Sequence, residues 1–282
     1  MTIALPKAFV FGAGSGAGSF LGLIQKKYQV ICLLDNDEAK WNSRVEGIPV
    51  CRPSMIREAD YDKIVIASSA GLDAMVEQLI GMGVGYGRID TTYVGAIEQP
   101  RLLFLEKLGE LLAERGVCGS VAEAGVFQGA FAKEINRVFP AKKLFLFDTF
   151  SGFDARDLRA EREHRYSRRG EGFFGGTSEE LVRRQLPREA LCVIRKGYFP
   201  ETAEGLDEIF CFVHLDLDLY QPTLAGLEYF YPRMAKGGVI LVHDYFSDEY
   251  AGVKKAVQTF EKANGRLSLF PIGDLFSLGI QC

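Results

Sequence analysis

Residues 120–150 read SVAEAGVFQGAFAKEINRVFPAKKLFLFDTF, and the fold turns on this stretch. Ser120–Ala124 is an apolar run of strand length that enters a glycine turn, Gly125-Val-Phe-Gln-Gly129. A helical period follows over about 129–138, and Lys143–Phe147 is a second apolar run closing on Asp148. Strand, glycine turn, helix and strand in that order make a βαβ unit, which builds parallel sheet. The alternation continues downstream. Strands are expected at Leu191–Arg195, Phe210–Leu215 and Gly238–Val242, with helices at about 177–186, 222–234 and 249–263. Leu267–Pro271, a turn at Ile272-Gly-Asp274, and Leu275–Ile280 read as a closing antiparallel hairpin. Just upstream, Leu102, Leu103, Leu105, Leu108, Leu111 and Leu112 give Pro100–Arg115 the spacing of an amphipathic helix.

A separate α/β series precedes this one. Its strands are expected at Ala8–Phe11, Gln29–Leu34, Lys63–Ser68 and Arg88–Asp90, with helices to about Lys27 and over Leu72–Met82. The spacing divides the chain into two Rossmann-like α/β domains, 1–95 and 96–282. Asp154–Gly176 fits neither series. It is rich in charge, has two aromatic clusters and no clean period, and reads either as a solvated loop or as a lid over a site at the strand ends.

Composition narrows the function classes. The net charge of -4 offers no general basic field for nucleic acid or a membrane surface. With only 3 histidines, a multi-histidine metal centre is not expected. The 6 cysteines contain no Cys-x-x-Cys and read as reduced structural thiols of a cytoplasmic protein. No apolar run reaches the length of a membrane span, and Met1–Gly14 lacks the pattern of a signal peptide. Self-association is left open.

Three motifs carry chemistry. Gly12-x-Gly14-x-Gly16-x-Gly18 follows a strand and opens a helix, with Asp35 ending the next strand. Such a turn brings backbone N–H groups close to a phosphate, and the acid can take ribose hydroxyls. A tight turn with no ligand fits equally well. In the second motif, Glu123, Gly125 and Gly129 lie at a strand end entering a helix, and Asp148-Thr149-Phe150 ends the neighbouring strand. A carboxylate in that place can bind a ribose diol bidentately. The third is His214-Leu-Asp216-Leu-Asp218-Leu-Tyr220. If the chain stays extended, period two puts His214, Asp216 and Asp218 on one face. The next strand ends in His243-Asp244, less than 5 Å away by ordinary strand spacing. Carboxylates so crowded repel unless a proton or cation sits among them. Asp216, His243 and Asp244 are therefore candidate ligands of Mg²⁺ or Mn²⁺.

Residues 100–282 resemble the macrocin O-methyltransferase family of sugar-modifying enzymes. The likeness lies in VAEAGVFQGAFA, LFLFDTFSGF, GYFPET at 197–202, HLDLDLYQPTLAGLEYFYPRMAKGGVILVHDY and GVKKAVQTF. It implies a class I methyltransferase fold with a seven-stranded sheet, S-adenosylmethionine (SAM) as methyl donor, and divalent-metal-assisted transfer to a sugar hydroxyl. It implies SAM binding by Glu123, Gly125, Gly129, Asp148, Thr149 and Phe150. It also implies metal binding by Asp216 with the acidic pair after the last parallel strand, and a general base at Asp218. Here that pair reads His243-Asp244, a departure from the usual two aspartates. FGAGSGAG, LLDNDEAKWNSRVEGIPV at 33–50 and YDKIVIASS at 61–69 resemble the N-terminal Rossmann-like domains of enzymes acting on nucleotide-linked sugars. This resemblance implies a nucleotide or nucleotide-sugar site in residues 1–95. Two other readings are an NAD-dependent sugar oxidoreductase and a non-catalytic nucleotide-sugar-binding protein.

Overall fold

The computed structural model describes residues 5–68 and 72–282, apart from the side chains of residues 15–19 and 95–98. Met1–Ala4 of the signal-peptide reading and Ser69 of the first-domain resemblance lie outside the described residues. The chain forms two compact units, Met1–Gln99 and Pro100–Cys282.

The first unit contains β1 (Lys7–Phe11), α1 (Ser15–Gln25), β2 (Gln29–Leu34), β3 (Arg44–Val45), β4 (Ile48–Cys51), β5 (Lys63–Ile66), α2 (Leu72–Gly81) and β6 (Ile89–Asp90). Its sheet runs β3-β4-β2-β1-β5-β6. All neighbours are parallel except the β3–β4 hairpin. The sequence reading misses that hairpin. Its turn, Glu46-Gly47, has positive φ at both residues (50° and 81°), as a type I′ turn requires. Glutamate rather than Asn or Asp at the first position hides the signal.

α3 (Thr92–Glu114) carries the boundary between the units. It begins well before Pro100, because the Asp90 carboxylate accepts the Thr92 N–H at 2.9 Å and starts the helix there. The second unit continues with β7 (Ser120–Ala124), α4 (Ala130–Val138), β8 (Leu144–Asp148), α5 (Leu158–His164), α6 (Glu179–Gln185), β9 (Cys192–Lys196) and β10 (Phe210–Leu215). It closes with α7 (Tyr220–Phe230), β11 (Met234–Val242), α8 (Ala251–Asn264), β12 (Ser268–Pro271) and β13 (Leu278–Gln281). The seven-stranded sheet runs β12-β13-β11-β10-β7-β8-β9. Only the pairings of β13 are antiparallel, so the closing hairpin inserts its second strand against the parallel series.

Both faces of this sheet are covered, so its central strands are buried throughout. On one face Ala124, Leu215 and Val242 pack with Leu227 and Phe230 of α7 and with Val253, Val257 and Phe260 of α8. On the other, Val121, Leu146, Phe212 and Leu241 meet Leu105 and Leu108 of α3 and Phe131 and Ile135 of α4. Alternation along β7 and β10 directs Glu123 and His214 onto this second face. They are paired across the strands and sit at the C-terminal tips, where open α/β sheets place their ligands.

Candidate active site

The β10 strand stops at Leu215, and the extended His214–Asp218 face expected from period two does not form. The Asp216 N–H bonds to Ala124 O at 2.9 Å, the Leu219 N–H to Leu217 O at 2.6 Å, and Asp218 has φ of 59°. A turn, not a strand, therefore carries the D-x-D. The turn still gathers the acids. Candidate ligand atoms of Asp216, His243 and Asp244 all lie within 4.8 Å of one another. Asp218 sits beside Asp244, close enough that each carboxyl shifts the titration of the other. Asp244 also has positive φ, 57°, and strained non-glycine residues of this kind cluster at functional sites.

The electrostatics are those of charges held together against repulsion. Burial pushes the Asp216 carboxyl up to about 6, partly opposed by the Arg101 guanidinium. Burial, then the charge of Asp216, pushes Asp244 up to about 7. Asp218 is raised well above the carboxylate range by burial and then by its acidic neighbours Asp216 and Asp244. Burial, reinforced by Arg101, holds His243 well below its usual value, so its ring is neutral and available as a ligand. Its Nδ1 lies 3.0 Å from Ser277 Oγ, and that hydroxyl donates to Asp274 Oδ2 at 2.6 Å. With Nδ1 engaged by Ser277, Nε2 is the ring nitrogen left to ligate, as the partners of metal-binding histidines arrange. Two carboxylates and an imidazole, whose charge Arg101 offsets only in part, fit a hard divalent ion.

His214 stands behind this cluster. It is fully buried, with Nδ1 2.9 Å from Glu123 Oε1 and its ring 4.4 Å from that of Phe131. Glu123 is only 2% exposed, so its carboxylate faces His214 rather than an open loop. Arg101 stacks over the other partner of this group, Phe131, at 4.6 Å. Sequence reading passes over Arg101 because it precedes a run of leucines that reads as plain helix packing.

The glycine loop is built around two backbone demands. Gly125 has φ of 86°, and a Cβ there would stand 1.8 Å from the carbonyl oxygen of Asp216. Gly129 has φ of 85° and starts α4 against Val182. Asp148 holds the loop closed, its Oδ2 accepting the N–H groups of Val126 and Phe127 at 2.8 Å each. Its Oδ1 accepts the Phe150 N–H at 2.6 Å. Three of roughly four acceptor sites on the carboxylate are thus used by backbone, leaving one on Oδ1 for a ribose hydroxyl. Thr149 Oγ1 donates to Gly152 O at 2.8 Å. Phe150 is buried in the core, which leaves only its backbone near the loop. A glycine cradle against the D-x-D turn, with an acid on the adjacent strand tip, fits SAM lying across the tips of β7 and β8.

Asp35 in the first unit has the same arrangement. Its carboxylate accepts N–H groups of Ala13 and Asp37 at 2.9 Å each and the Lys40 ammonium at 3.0 Å. Burial pushes this acid up, but the backbone donors and Lys40 together hold it below its usual range. Gly12 has φ of 106°, and a Cβ on it would lie 2.9 Å from Ser68 Cβ. The turn and Lys40 therefore already engage the acid proposed to bind ribose in this unit.

The sequence profile of the Macrocin-O-methyltransferase (TylF) family matches residues 28–270. The match starts inside the first unit, well before the residue 100 from which the sequence resemblance was drawn. The chain is 29% identical over 188 residues to a mycinamicin III 3''-O-methyltransferase of Micromonospora griseorubida, spanning 61% of this chain and 72% of that protein. It is 29% identical over 161 residues to an 8-demethyl-8-(2,3-dimethoxy-alpha-L-rhamnosyl)-tetracenomycin-C 4'-O-methyltransferase of Streptomyces olivaceus, spanning 52% of this chain and 61% of that protein. The solved O-methyltransferase NovP shares the fold, with a TM-score of 0.52 at 24% identity over 64% of this chain and 79% of NovP. The chain belongs to the Macrocin-O-methyltransferase (TylF) family and is a SAM-dependent O-methyltransferase.

Proposed function

We propose that this enzyme methylates a sugar hydroxyl of a glycosylated small molecule with the help of a divalent cation. The observation that carries the reading is the convergence of Asp216, His243 and Asp244 beside Asp218. The sugar acceptors named for the two curated relatives support the substrate class. Asp216, His243 and Asp244 would hold the cation. Bound there, it would lower the pKa of an acceptor hydroxyl and fix its direction. Asp218 would take the hydroxyl proton. Burial among acids raises its proton affinity, so it would act as a base only with a cation beside it to offset those acidic neighbours. Gly125 and Gly129 would let the methionine end of SAM approach the backbone. Asp148 would offer its remaining Oδ1 site to the ribose.

The test is to incubate the enzyme with SAM and a panel of glycosylated natural products and nucleoside-diphosphate sugars, with Mg²⁺ or EDTA. S-adenosylhomocysteine (SAH) formation and gain of one methyl by mass are expected only with a sugar acceptor and Mg²⁺. Methylation undiminished by EDTA removes the metal from the mechanism. Binding of NAD or a nucleotide-sugar without SAM binding transfers the function to the first unit.

A pH signature accompanies the cluster. Its carboxyls titrate at higher pH in the folded chain than in the unfolded one. The stability they contribute is therefore complete below the ordinary carboxylate range, near pH 4, and is lost as pH rises through about 6 and about 7 for Asp216 and Asp244. A cation competes with those protons, so its stabilisation grows across the same interval. The gain in melting temperature from saturating Mg²⁺ is expected to be small at pH 5 and several degrees at pH 8. An equal gain at both pH values contradicts metal binding at these acids.

A further inference from the structure

The turn between β12 and β13 reaches back to the acids at the tips of β10 and β11, and it sets a proton there. Asp274 Oδ1 accepts the N–H groups of Phe276 and Ser277 at 3.2 and 2.7 Å. Its Oδ2 accepts the Ser277 hydroxyl at 2.6 Å. Ser277 is 1% exposed, and its Oγ lies 3.0 Å from Nδ1 of His243. A serine hydroxyl has a single hydrogen. Here that hydrogen goes to Asp274, so the oxygen faces His243 as an acceptor. Nδ1 therefore carries the ring proton and Nε2 the lone pair. The residue is held from two further sides. The Phe276 ring stands across the imidazole, 6.1 Å between centroids and 84° between planes, and the His243 N–H bonds to Leu215 O at 2.9 Å.

The donor set that Nε2 would join is not all oxygen. Asp216 and Asp244 offer carboxylates and His243 offers a nitrogen, with candidate ligand atoms within 4.8 Å of one another. Mg²⁺ keeps to oxygen ligands and dehydrates reluctantly. Mn²⁺ lies in the first-row series that takes imidazole alongside carboxylate. A nitrogen whose tautomer and direction are already fixed favours the cation able to use it.

We propose that this centre selects Mn²⁺ over Mg²⁺, and that the Asp274–Ser277 turn makes the selection by holding the proton of His243 on Nδ1. Ser277 and Asp274 are positioning residues, since they act on the cation through the imidazole. Mg²⁺ still enters through the two carboxylates, at higher concentration. The inference rests on the metal-assisted reading above, and its test needs no turnover.

Nitrogen NMR of the metal-free protein at mildly alkaline pH reads the tautomer. The chain has only 3 histidines, so His243→Asn assigns the signal. The wild type should show the proton on Nδ1. Asp274→Asn should move it to Nε2. Position Oδ1 must still face two N–H donors, so the new amide NH₂ lies against Ser277 Oγ and turns the hydroxyl toward His243. Electron spin echo spectra of bound Mn²⁺ should show nitrogen coupling in the wild type and none in His243→Asn. By calorimetry, Ser277→Ala should weaken Mn²⁺ about tenfold or more and Mg²⁺ less than about threefold. Asp274 also acts on Asp216 through its charge, so Asp274→Asn should weaken both cations, Mn²⁺ by about tenfold more than Mg²⁺.

A wild-type proton on Nε2, or Mn²⁺ bound without nitrogen coupling, overturns the proposal and leaves a metal site in place. Equal loss of the two cations in Ser277→Ala and in Asp274→Asn overturns the selection and reduces the turn to a support of the fold. Binding of neither cation, with the tautomer as stated, overturns the metal-assisted reading itself. If His243→Asn does not fold, Ser277→Ala and the isosteric Asp274→Asn decide the proposal.

Discussion

Asp216→Ala is expected to reduce methyl transfer by about a thousandfold or more, the several kcal/mol of charge stabilisation that a site-bound cation supplies. SAM binding should survive, because the contacts of residue 216 with the cofactor side are made by its backbone. Its N–H bonds Ala124 O at 2.9 Å, and its carbonyl oxygen closes against Gly125. The variant should also fold. The side chain is only half-buried, and removing one acid relieves the repulsion that raises Asp218 and Asp244. Isothermal titration with SAH, paired with an assay of methyl transfer, separates the two effects. Full turnover in Asp216→Ala refutes the proposed metal site. Loss of SAH binding would mean that the side chain serves the cofactor instead.

Gly125→Ala is expected to have the largest effect on the fold. The new Cβ would stand 1.8 Å from Asp216 O and 2.6 Å from Asp216 C, on a residue with φ of 86°. Backbone on both sides prevents relief by a side-chain rotation. Strain in the left-handed region and overpacking together cost about 3–5 kcal/mol. Over a domain of this size that corresponds to a drop in melting temperature of roughly 10 °C. The tips of β7 and β10 must separate, so SAH affinity should fall with stability. Gly116→Ala is the control, since Gly116 also has positive φ (63°) but nothing within 4 Å of its missing Cβ. It should lose only about 1 kcal/mol of backbone preference. Equal melting temperatures for the two variants would show that the close approach of Gly125 to Asp216 does not constrain the fold.

The two predictions mark where sequence reasoning succeeds and where it stops. Glycine spacing and the apolar runs on either side suffice to place β7, α4 and β8, because strand alternation and helix period are local properties. The same logic places β10 and the closing hairpin. It fails at Asp216–Leu219, where extrapolating period two keeps the strand running. The turn forms because the Asp216 N–H finds Ala124 O on the neighbouring strand and Asp218 adopts positive φ. It also misses Glu46-Gly47, whose turn lacks the Asn-Gly or Asp-Gly signature.

The candidate site divides along the same line. Residue type and short spacing specify the Rossmann-like α/β plan, the glycine loop and the acids at the strand tips. What those residues face is settled by packing between distant parts of the chain. Asp148 spends most of its acceptor capacity on the loop, Glu123 is buried on His214, and Ser277 with Asp274 orients His243 from a hairpin more than thirty residues away. Arg101 joined the site the same way, from a helix whose sequence reads as packing. The physical reason is that charge balance and hydrogen-bond satisfaction are set by whatever the fold brings within a few ångströms, and sequence spacing carries no record of those distances.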